Sequence, residues 1–153
     1  MPVVALITWI VTALGGLYLL AIWLIEYDPD FQRAAATRLP VPVISGHVLF
    51  ALGGLVLWLM YLITDEDVFA WATIAVLAFV ATFGLTMAVR WIGVYRAAPL
   101  RASASGMPVS HGTTALAVPP ERHFPVSVVI AHGIFALTTI VLVVLTILGV
   151  GGS

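Results

Sequence analysis

The chain of 153 residues has no cysteine. That removes disulfides, thiolate metal sites, thiol catalysis and iron–sulfur ligation together. Lysine is also missing, so all six basic residues are arginine. Only 8% of residues are charged, against roughly 25% in soluble domains. The formal net charge of -1 gives no argument for nucleic acid as a partner. No Ser–His–Asp order, HExxH or glycine-rich phosphate loop occurs, so no catalytic activity of its own is expected.

What fills the chain is apolar side chain, at 62%. Four runs reach the ~20 residues that cross a bilayer: Val3–Ile25, Val41–Ile63, Val68–Val94 and Pro125–Val150. The expectation is an all-α, single-domain integral membrane protein, a bundle of four transmembrane helices. Glu26-Tyr27-Asp28-Pro29 follows the first run where a cleavage site would need small residues, so a removable signal peptide is not expected. Asp28-Pro29-Asp30 is a helix-start signal and predicts a short interfacial helix over 29–38. Thr64-Asp65-Glu66-Asp67 reads as a capped tight turn, its acids favoured at a helix start. Residues 97–124, rich in Ala, Ser, Gly and Pro, are expected to form a long flexible loop, and Gly151-Gly152-Ser153 a loose tail.

Arg33, Arg38, Arg90, Arg96, Arg101 and Arg122 all belong to the side away from the termini. The positive-inside rule then predicts both termini outside, with the 26–40 and 96–124 segments cytoplasmic. Trp9, Trp23, Trp71 and Trp91 fall near helix ends, as an interfacial aromatic belt requires; Trp58 is deeper and reads as packing.

The chain also repeats itself. A shift of 85 sets Pro40-Val41 on Pro125-Val126, His47 on His132, Phe50-Ala51-Leu52 on Phe135-Ala136-Leu137 and Val56-Leu57 on Val141-Leu142. A weaker match at a shift of 68 pairs Gly16-Leu17 with Gly84-Leu85, Trp23 with Trp91 and Tyr27 with Tyr95. The bundle is therefore expected to contain two parallel helical-hairpin repeats, related by an axis along the bilayer normal. His47 and His132 become mates facing each other across that axis.

Each histidine lies seven residues past its proline, about 10 Å along the helix. Arg90 lies at a similar depth, and Glu26 ends the first run on the same side. Ala51 and Gly54 follow His47 at one and two turns, as Ala136 and Thr139 follow His132, which predicts a hollow on that face of each helix. Two imidazoles above such a hollow suit the axial positions of a haem, with Arg90 placed for a propionate. Structural hydrogen bonding between helices, or a transition-metal or proton-relay site, explains two such histidines as well. Two ligands alone leave a zinc site incomplete, and Glu26 is the nearest further candidate. His111 and His123 read as solvated loop residues.

This layout resembles the small bis-histidine b-type cytochromes of bacterial membranes, such as cytochrome b561-like proteins and respiratory-enzyme anchors. The resemblance covers the four helices with His47 and His132. It implies one haem b, electron transfer, the bacterial cytoplasmic membrane, and a quinone or larger respiratory complex as partner. The run Glu121-Arg122-His123-Phe124-Pro125 with His132-Gly133 also resembles a bacterial family of four-helix membrane proteins, which implies no activity. Two alternatives stand beside the cytochrome: an accessory or assembly subunit of a larger membrane complex, and a small metal-handling or transport protein.

Overall fold

The computed structural model describes residues 1–27, 39–104 and 119–150. The expected helix over 29–38, the 151–153 tail and His111 lie outside the described residues. Four long helices carry the fold: α1 (Pro2–Ile25), α2 (Val41–Thr64), α3 (Asp67–Ala104) and α4 (Val126–Ile147). There is no strand among the described residues. A 3-10 turn, Pro120–His123, leads into α4. All four helices contain a stretch long and apolar enough to cross a membrane.

Their boundaries follow from local chemistry. Pro40 and Pro125 stand as N-caps of α2 and α4, where a missing N–H costs nothing. Asp65 closes α2 in the left-handed region at φ 58°, and its amide bonds back to the Tyr61 carbonyl. α3 then begins at Asp67 with an acid in its first turn, so Thr64–Asp67 is the capped turn expected. The other end of α3 corrects the sequence reading. Helical backbone runs on to Ala104, and residues 120–123 form a 3-10 turn, so these two parts of 97–124 are helical where a loop was expected. Four alanines in the eight residues 97–104 supply the helix propensity that outweighs the serine and proline there.

Packing bears out the repeat at positions where identity has been lost. Ala5 and Thr73, Trp9 and Leu77, Gly54 and Thr139, Trp58 and Val143 are equivalent pairs, and all eight residues are buried. The closest helix pairs, however, are α2 with α3 and α1 with α4, whereas α1–α2 and α3–α4 meet over less surface. Each repeat therefore leans its second helix on the first helix of the other repeat. Trp9 and Trp23, expected in an interfacial belt, are buried instead. Trp71, 59% exposed, does sit outside. Trp58 is fully buried as expected and donates its indole N–H to the Pro2 carbonyl at 3.2 Å.

One contact sets the spacing of the inner core. A Cβ at Gly54 would lie 3.1 Å from the Trp9 ring and 3.2 Å from Val76. Gly53, next to it, faces open space. Gly54→Val is expected to cost about 1–3 kcal/mol through overpacking and to lower the melting temperature in detergent. Gly53→Ala, measured alongside, is expected to leave it unchanged or slightly raised.

Candidate functional site between two histidines

α2 carries His47 against α3, and α4 carries His132 against α1. His47 Nδ1 lies 3.0 Å from the Val80 carbonyl oxygen, and His132 Nδ1 lies 3.0 Å from that of Thr12. A carbonyl only accepts, so each Nδ1 carries the hydrogen and donates it. In a neutral ring the Nε2 lone pair is then left open. Among the described residues this Nδ1 bond is the only hydrogen bond of either ring.

The two carbonyls already serve their own helices, Val80 toward Gly84 and Thr12 toward Gly16, and use a second lone pair for the imidazole. Glycine four residues on lets the ring come that close. A Cβ at Gly84 would sit 3.1 Å from His47 Cε1, and one at Gly16 would sit 3.0 Å from His132 Cε1. Thr12 and Val80, like Gly16 and Gly84, are equivalent under the shift of 68. What α1 and α3 retain in common is thus a seat for an imidazole from the other repeat. Gly15 and Gly16 are both approached by the His132 side chain. The repeated glycine was the signal for this seat, but sequence shows neither its carbonyl nor its partner.

The rings come together as expected, with centres 6.3 Å apart and planes at 60°. Both are half-buried. The hollow expected beneath them is smaller than the sequence suggests. Gly54 is covered by Trp9, and Thr139 is buried with its hydroxyl 3.0 Å from that of Thr8. Of the small residues expected to open the hollow, only Ala51 and Ala136 are left for it, because the second-turn positions belong to the core.

Arg90 is not packed with the imidazoles. It is exposed, and helical register sets it about 100° round α3 from the Val80–Gly84 edge. Glu26 faces His123, with Oε2 and Nδ1 3.8 Å apart and both side chains substantially exposed. No group of three or more His, Asp or Glu is placed to hold a metal ion among the described residues. A closed zinc site is therefore not built from them.

No protein-family model, curated protein or solved structure matches the chain. What the site can do must be read from its geometry. Metal–imidazole bonds run about 2.0–2.1 Å, so two rings on opposite sides of one ion have centres about 6.3–6.5 Å apart. The observed separation of 6.3 Å fits that arrangement.

The tautomer is directly observable. Nitrogen-15 spectra of the protein in bilayers are expected to show both histidines protonated at Nδ1. Gly84→Ala should displace the Nδ1 signal of His47 alone, and Gly16→Ala that of His132 alone. Protonation at Nε2 in the unsubstituted protein would contradict the seat.

Proposed function

We propose that this is a membrane cytochrome holding one haem b between His47 and His132. The observation that carries the reading is the pair of reciprocal Nδ1–H bonds. They turn two neutral imidazoles into oriented ligands with open Nε2 atoms, at a separation that suits a single iron. Ligating histidines commonly donate their other ring N–H to a carbonyl in this way, which fixes tautomer and ring orientation. A haem held there would supply one-electron carriage; His47 and His132 would hold it, with the Thr12 and Val80 carbonyls aiming their rings in an apolar surround. Arg90 is the candidate partner for a propionate, by depth rather than by contact. A quinone or a larger respiratory complex is the redox partner that suits a carrier of this kind.

The orientation belongs to the same proposal. The six arginines favour cytoplasmic 26–40 and 96–124 segments, with both ends of the chain outside, in a bacterial cytoplasmic membrane. Because cysteine is absent, single-cysteine variants report sidedness without background. Asp65→Cys is expected to react with an impermeant maleimide applied outside intact cells, and Arg122→Cys only after permeabilisation. The opposite pattern would invert the topology.

Colour tests the haem assignment. Protein purified after haem-replete expression is expected to be red, with an α band on reduction. His47→Ala and His132→Ala should each cut haem content at least tenfold. A colourless unsubstituted protein would overturn the cytochrome and favour an accessory subunit, in which the two imidazoles serve only as interhelical hydrogen bonds.

A further inference from the structure

The two imidazole seats match, but their outer flanks do not. Beside His47, Phe50 of α2 stacks on Phe79 of α3, ring centres 5.4 Å apart and planes at 19°. Phe83 adds a second ring, 5.9 Å from Phe50, and rests against Gly46. The positions equivalent to Phe79 and Phe83 in the other copy are Val11 and Gly15. Phe135, the counterpart of Phe50, there borders a groove of about 360 Å³ lined also by Val11, Gly15, Ser127, Ala131 and His132. That volume lies within the range of about 300–1,000 Å³ for small-molecule sites. Val11 and Phe135 are both 39% exposed, so the groove opens on the outer, lipid-facing side of the bundle.

We propose that this groove binds the flat head of a quinone-class lipid. The filled copy shows what the space accepts: flat rings laid beside a phenylalanine. A third difference points the same way. Ser127 stands where the other copy has Pro42, so the copy without the two rings carries a hydroxyl. That hydroxyl has no hydrogen-bond partner among the described residues, and its O–H is available to donate to a ring carbonyl. An acyl chain would need neither a stacking face nor a polar handle. A ring in the groove would lie against His132. The site itself does not rest on the iron assignment, since its walls are chain atoms alone.

The test uses the full-length protein in phospholipid nanodiscs and a 1,4-naphthoquinone bearing a photoreactive alkyl tail, with labelled peptides identified by mass. Saturable labelling is expected on α1 near Val11–Gly15 or on α4 near Ser127–Phe135. Val11→Phe with Gly15→Phe transplants the plug of the other copy; a Cβ at Gly15 meets His132 only at ordinary contact, 3.7 Å. The double variant should lose at least tenfold in labelling while keeping its melting temperature. Ser127→Ala, which leaves packing intact, should lose several-fold and decides the matter if the double variant does not fold. Unsaturable labelling, labelling indifferent to these changes, or equal competition by a ringless alkyl analogue would overturn the proposal. None of these readouts depends on haem, so failure here leaves the cytochrome reading where it stood.

Discussion

A helix carbonyl inside a bilayer has its own amide partner and, on its second lone pair, room for one more donor. Both halves of this protein use that room in the same way. An imidazole N–H from the opposite repeat meets the carbonyl of Val80 or of Thr12, and glycine one turn further on clears the approach. In lipid the helices gain little from hiding apolar surface from one another, so interhelical polar contacts and close packing weigh more. Each such hydrogen bond contributes about 0.6–2 kcal/mol in membranes. The same bond that joins the halves also selects the ring nitrogen that stays open for chemistry.

Duplication explains the rest of the interior. Burial has persisted at equivalent positions while side-chain size has been exchanged between them. Trp9 and Trp58 fill one copy where Leu77 and Val143 fill the other, and Gly54 gives the space that Trp9 occupies. The outer flanks have diverged further, since no common axial contact constrains them. There a pair of phenylalanines on one side has become a valine and a glycine on the other.

Much of this was legible in the sequence. Run length and the near-absence of charge gave four spans, and the histidine in each copy announced the meeting of His47 and His132 at one level. The inward faces were not legible, because a helix in lipid is apolar on all sides and periodicity cannot tell core from tail-facing surface. For that reason Trp9 and Trp23 read as interfacial residues, and the hollow below the histidines read as larger than it is. The carbonyl half of each seat was also hidden, because every residue owns a carbonyl and only geometry distinguishes Val80 and Thr12 from their neighbours. The direction of Arg90 around α3 needed the fold.

The crossed pairing of helices has a consequence for biogenesis. The carbonyl that seats His47 is on α3, and the one that seats His132 is on α1, the earliest of these four helices to leave the ribosome. The N-terminal hairpin therefore enters the membrane with one imidazole and one carbonyl that have nothing to close on. His47 is seated as the third span arrives, and Thr12 must wait for the fourth. The halves close as a mutual clasp, and a chain halted before α4 holds only one of the two seated imidazoles.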